Sequence, residues 1–384
     1  MKKALSIVVK FLPVIPFFMV LGTVFAVSQE LVKGVVSGKY FWFYFSMGII
    51  AITTVVDFVC RQTIQTIRIK RVDGLILLYG VSTFIVSYFV HSSEAMTKHI
   101  LFVLIILLYC YFRMILSASG SNKYLIMLFF LATGLVEAIW GLGQLYGFTY
   151  SQHSRFSLTG SFFNPGPYAC YIAVVLPMAF FYTLKYRLCY KVKFHLRNIS
   201  VYFLWGISLL TFMLSMLVLP ATMSRTSWIA AFGGCGLALI YFSAKNGNIK
   251  TFIITNKRNC TIIIFITILL ITAGSFGMYQ FKKDSADGRI LTWKIALQAA
   301  VHHPWGVGIG NFPGSYGQEQ TSYFSAGQGT EQEQHVAGNP EYGFNEYLQI
   351  FVMSEIRSCF FQAILPNRSR VLKTPSTFKY MSIC

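Results

Sequence analysis

Stretches of apolar sequence long enough to cross a bilayer recur along this chain, and no other feature constrains its fold as strongly. A helix needs about 20 apolar residues to span the hydrocarbon core. Runs of that order are Phe11–Ser28, Phe41–Cys60, Val72–Val90, Ile100–Leu116, Tyr124–Tyr146, Gly166–Leu184, Val201–Ala221, Ser227–Ser243 and Thr261–Tyr279. A tenth opens near Phe344 and is broken by Arg357. Backbone groups find no water in lipid, so open-ended segments of this kind must be helical. The expected fold is therefore all-α: a polytopic transmembrane bundle of nine to ten spans, with one large extracytoplasmic loop containing short helices. Composition agrees, with 55% apolar and only 12% charged residues, where a soluble domain carries about a quarter charged.

A formal net charge of +19 invites a nucleic-acid partner, but the placement of the charges excludes it. With a cytoplasmic N-terminus and one crossing per run, eighteen Lys and Arg fall in cytoplasmic segments and nine on the opposite side, with five more after Glu355. That is the positive-inside distribution of a multi-pass protein. It predicts an inner-membrane location with the large loop outside. Met-Lys-Lys followed by an apolar run reads as a retained signal anchor rather than a cleaved signal peptide. Six of the eight cysteines lie in or beside spans and no CxxC spacing occurs, which argues against a zinc site or a disulfide framework.

The chain divides by pattern into N-terminal spans (1–123), central spans (124–279), a large polar loop (280–345) and an incomplete last span with a basic tail (346–384). The loop exceeds any ordinary connection and is expected to be functional or disordered. Its middle, Gly317 to Gly338, is rich in Gln, Gly, Ser and Glu and predicts a mobile stretch. Upstream, Ile290, Trp293, Leu297 and Val301 recur at helical spacing, with Asp287 as the expected N-cap and His302-His303-Pro304 as the stop.

Two arginines stand out by position. Arg225 lies in a minimal external turn, Ser224-Arg225-Thr226, and Arg289 in the expected first turn of the loop helix. Guanidinium groups match phosphate oxygens bidentately, and a helix N-terminus is itself an anion site. Together they suit a pyrophosphate at the membrane boundary; the bland alternative is that one flanks a helix and the other snorkels. Glu137 lies in mid-span with Gln144 two turns later. An intramembrane carboxylate is either functional or a paired structural group. His302 and His303 lack a third ligand at useful spacing, and Gly306, Gly308 and Gly310 follow no strand; metal and dinucleotide sites are both rejected, and a flexible, tight connection accounts for the glycines.

Four stretches give these residues a context. Ala138-Ile139-Trp140-Gly141-Leu142-Gly143-Gln144 leads into Thr159-Gly160-Ser161-Phe162-Phe163-Asn164-Pro165-Gly166-Pro167-Tyr168-Ala169. Then come the Ser224-Arg225-Thr226 turn and Gly288-Arg289 through Trp293, continuing as His303-Pro304-Trp305-Gly306-Val307-Gly308-Ile309-Gly310-Asn311-Phe312. Phe344-Asn345-Glu346-Tyr347-Leu348-Gln349 closes the set. In order and spacing, over roughly residues 130 to 355, this resembles the O-antigen ligase / O-antigen polymerase superfamily of bacterial envelope glycosyltransferases. The resemblance implies transfer of glycan from an undecaprenyl-pyrophosphate carrier to a saccharide or lipid A-core acceptor, outside the inner membrane. No metal or other cofactor is implied. It places Arg225 and Arg289 on the arginines proposed to hold the donor pyrophosphate, and makes Arg155, Asn164, Asn345 and Glu137 candidate substrate-binding residues. Besides the lipid-linked glycan and its acceptor, membrane lipids are the expected partners.

Two departures qualify it. Phe344 stands where many members have histidine, leaving Glu346, Glu341 or His335 to activate the acceptor, with Glu346 favoured. Residues 357–384 lack a helical pattern where members continue into further spans, which suggests a frameshift or premature end. The competing functions are a flippase or transporter of lipid-linked glycan, and a truncated, inactive assembly factor. Ligase and polymerase are not separated.

Overall fold

The structure, a computed structural model, describes residues 14–28, 30–31, 33–61, 70–90, 95–118, 120–190, 199–245, 283–303 and 306–353. The apolar run 261–279 and the tail 357–384 lie outside the described residues. The described chain is helical throughout: α1 (Val14–Gly22), continued by a 3-10 turn, α2 (Gly34–Arg61), α3 (Arg71–Val90), α4 (Ala95–Ala118), α5 (Gly120–Leu145), α6 (Pro165–Tyr190), α7 (Ile199–Ala221) and α8 (Arg225–Lys245). Then come α9 (Lys283–His302), α10 (Phe312–Ser325), α11 (Glu331–Val336) and α12 (Glu346–Met353).

Six of the described helices are long and apolar enough to cross a membrane: α2, α4, α5, α6, α7 and α8, while α1 is shorter. The outward-facing residues fit lipid. Ile52, Leu107, Leu217, Ile229 and Leu237 are all more than half exposed, an arrangement that suits a hydrocarbon solvent.

The chain forms two compact units, Met1–Ile67 with Ile106–Gly274, and Arg68–Ile105 with Ser275–Cys384. In the first, α6 packs on α5, α7 and α8, and α1 lies against α2 and α5. Its core joins Ala138, Leu158, Tyr168, Ile172, Leu176, Leu219 and Ala231. Small residues allow close approach: a Cβ on Gly234 would come within 2.7 Å of Pro177, and one on Gly134 within 2.3 Å of Val175. Lipid gives helices no hydrophobic reason to associate, so such contacts carry the packing.

In the second unit, α9 packs against α10, α11 and α12 around Leu291, Ile295, Ala299, Val307, Phe312, Tyr316, Tyr323 and Val352. This corrects two expectations. The Gly317–Gly338 stretch holds most of α10 and all of α11, with Tyr323 in the core and Phe324 and Val336 packed against it. These few side chains supply the apolar area that its average composition hides. The helix α9 already includes Lys283, so Asp287 is not its cap; Asp287 instead accepts a bond from Gln332 Nε2 at 2.9 Å. Arg289 is thus well inside the helix, away from the positive end of its dipole.

Candidate functional site

The joint between α5 and α6 is built from buried polar side chains. Gln144 Oε1 accepts from the Thr159 and Gly160 N–H groups at 2.8 and 2.7 Å, and its Nε2 donates to the Tyr150 and Gly160 carbonyls at 3.0 Å each. One amide side chain thereby satisfies four main-chain groups of the connecting loop. Two turns of α5 earlier, Glu137 Oε2 accepts from Ser161 N–H at 3.2 Å, while its Oε1 is buried without a hydrogen-bond partner. Gly160 takes φ +55°, and a Cβ there would lie 2.3 Å from the Tyr168 ring and 2.5 Å from Glu137 Oε2. Only glycine fits both the left-handed backbone and the space.

The same loop is tied to the N-terminal part. Ser161 Oγ donates to the Val24 carbonyl at 2.6 Å. Lys39 Nζ also donates to the Val24 carbonyl, lies 3.4 Å from Ser161 Oγ, and sits 5.0 Å over the Phe162 ring. Asn164 ends the loop. Its Oδ1 accepts from Gly166 N–H at 3.0 Å and Pro165 opens α6, a helix-capping geometry. Tyr168 donates to the Glu137 carbonyl at 2.9 Å and is fully buried, as is Ala169. The Thr-Gly-x-Phe-x-Asn-Pro stretch is thus a loop-to-helix joint, and Glu137 and Asn164 each have a structural bond within it. Arg155 is exposed, with its own N–H bonded to His153 Nδ1 at 3.0 Å.

Arg225 opens α8 after a three-residue turn, where Met223 adopts φ +53°. The turn is closed by Trp228 Nε1 donating to the Leu219 carbonyl at 2.9 Å and by a 2.9 Å contact between the Ser224 and Ser227 hydroxyls. A left-handed methionine costs roughly 1–2 kcal/mol, which this bracing offsets. Arg225 is half-buried at the positive end of a helix, as the turn sequence predicts.

Arg289 projects from α9, and its guanidinium carbon lies 5.3 Å from the centre of the Phe344 ring. Phe344 is itself left-handed, φ +51°. Around it Gly343 N–H donates to Gln349 Oε1 at 2.9 Å, the Gly343 carbonyl accepts from Trp293 Nε1 at 3.0 Å, and Asn345 Oδ1 accepts from Leu348 N–H at 3.2 Å. Asn345 thus caps α12, and Glu346 is exposed in that helix's first turn, as are Glu341 and His335 in the segments before it.

Further along α9, Lys294 Nζ reaches Tyr323 Oη at 2.6 Å and Glu333 Oε1 at 2.9 Å. The Lys294 ammonium and the Thr330 N–H hold the Glu333 carboxyl down at about 2. Tyr323 and Glu333 in turn raise the pKa of Lys294. Glu333 also completes a capping box with Thr330 that starts α11. This Thr-x-x-Glu signature was the local sign, missed in the sequence, that the polar stretch is helical. His302 pairs with Glu319 at 2.9 Å, and among the described residues no group of three could ligate a metal. Gly306, Gly308 and Gly310 take φ of +80°, +83° and +89°. Val307 and Gly308 N–H donate to the Val352 and Met353 carbonyls at 3.1 and 3.2 Å, so the run is an ordered cap on the last carbonyls of α12.

Described residues that are helical throughout, six of whose helices are long and apolar enough to cross a membrane, make this a polytopic membrane protein. Residues 210–354, from within α7 through α12, match the family model described as O-antigen ligase, which supports the O-antigen ligase / O-antigen polymerase superfamily. No curated protein and no solved structure matches the chain. The matched segment contains both Arg225 and Arg289; the α5–α6 joint lies before it.

Proposed function

We propose that this chain transfers a glycan from an undecaprenyl-pyrophosphate carrier to a saccharide acceptor at the extracytoplasmic face of the bacterial inner membrane. The observation that carries the reading is the O-antigen ligase match over 210–354, which encloses Arg225 at the head of α8 and Arg289 on α9. In the reaction the acceptor oxygen bonds to the anomeric carbon as the bond from that carbon to the pyrophosphate oxygen breaks. The acceptor proton passes to a base, and the pyrophosphate leaves as an anion. Arg225 and Arg289 each serve as a ligand of that leaving group, with fixed guanidinium charge in place of a divalent metal. Glu346, exposed at the start of α12, is the base. Asn345, which orients that helix start, and the exposed Arg155 are candidate contacts to the sugars.

The test is complementation of strains lacking surface-glycan ligase or polymerase, together with transfer by purified chain. Arg225→Ala and Arg289→Ala should each lower transfer by about 10²-fold, the size of losing one charge-stabilising donor. Attached but single-repeat glycan identifies a ligase, and restored chain length a polymerase. Full activity in both variants overturns the role of the arginines.

A further inference from the structure

Where the resemblance leads to an imidazole, position 344 carries a ring that cannot move a proton, yet its placement is tightly specified. Phe344 is 56% exposed, so burial does not explain its aromatic side chain. Its backbone is left-handed, φ +51°, a conformation that bulky residues rarely adopt. Three hydrogen bonds, made by Trp293, Gln349 and Leu348 to Gly343 and Asn345, fix the residues on either side. The fixed ring stands 5.3 Å from the Arg289 guanidinium carbon, within the range where a cation is drawn to a π face.

We propose that Phe344 is a positioning residue for Arg289: its ring holds the guanidinium by a cation–π contact and fixes where the arginine's donors point. The attraction to the ring acts through the cation's charge, not through the in-plane N–H donors with which a guanidinium meets an anion bidentately. Trp293 ties the two ends together, since it lies one turn after Arg289 on α9 and its indole N–H holds the Gly343 carbonyl. The proposal rests on the reading of Arg289 as a ligand of the donor pyrophosphate.

The experiment measures binding of farnesyl pyrophosphate and of inorganic pyrophosphate to the full chain in lipid nanodiscs, by calorimetry. Phe344→Leu should weaken both two- to fivefold, the range of an exposed cation–π contact, and Phe344→Trp should restore them. Phe344→Gly should weaken them equally while relieving the left-handed backbone, which separates the ring's effect from that of strain. In an Arg289→Ala background, Phe344→Leu should have no further effect. Wild-type binding by Phe344→Leu, with binding lost in Arg289→Ala, overturns the positioning role and leaves the arginine's role standing. Failure of Phe344→Trp to restore affinity, or an undiminished Phe344→Leu effect without Arg289, overturns it as well. Unchanged binding by Arg289→Ala itself removes the reading on which it rests.

Discussion

The joint between α5 and α6 and the outer face of α9 both carry polar side chains, but these are held in opposite ways. At the joint, Gln144 and Glu137 are buried and bond almost wholly to main-chain atoms. On α9, side chain meets side chain in partial exposure: Lys294 with Glu333, His302 with Glu319, Arg289 with Phe344. A buried main-chain group that loses its partner keeps the full desolvation penalty, whereas an exposed pair that separates is taken up by water. Rigidity is therefore concentrated at the joint. On α9 the exposed ion pairs of Lys294 and His302 are cheap to rearrange.

The comparison is broken most severely at the joint. Gly160→Ala meets both the Tyr168 ring and a left-handed backbone, and should cost about 2–4 kcal/mol. Thermal unfolding in detergent reads this, and an unchanged midpoint would mean that the joint is not the rigid element. Next is Gln144→Ala, which strands two buried N–H groups at Thr159 and Gly160. At about 1–3 kcal/mol per orphaned group, the amides of 159 and 160 should lose hydrogen-exchange protection. The substitution Gln144→Glu does not preserve the joint either, because a carboxylate cannot donate to the Tyr150 and Gly160 carbonyls.

The smallest effect is expected on α9. Glu333→Gln removes one exposed ion pair, worth about 0–1 kcal/mol. The carboxyl is held down from near 4.5 to about 2 in the folded chain. Its contribution is therefore present above pH 4.5 and lost as pH falls toward 2. The wild type and Glu333→Gln should differ slightly in stability at about pH 6 and converge near pH 2. A difference that grows on acidification would contradict the Lys294–Glu333 pairing.

Much of the spanning architecture was legible because apolar runs and helices coincide: Val201–Ala221 lies within α7, and Ser227–Ser243 within α8. The helical period of Ile290, Trp293, Leu297 and Val301 marked α9, and His302 ends it as expected. Its start was hidden because Lys283-Asp284-Ser285-Ala286 carries no apolar period, and because Asp287 spends its carboxylate on Gln332 rather than on a cap. In α10 and α11, abundant Gln, Ser and Gly masked the anchors Phe312, Tyr316 and Tyr323. The place of Arg225 at the head of a helix was visible from its neighbours in sequence. The partnership of Arg289 with Phe344 was not, since the two are far apart along the chain and meet only after α9 and α12 pack together.

The amide of Gln144 is in effect a peptide group carried on a side chain, and it reads the loop only through backbone atoms. Such anchorage does not depend on which side chains the intervening positions 152–157 present, but it does depend on how many residues there are. That segment should accept wide variation in residue identity while rejecting a single insertion or deletion.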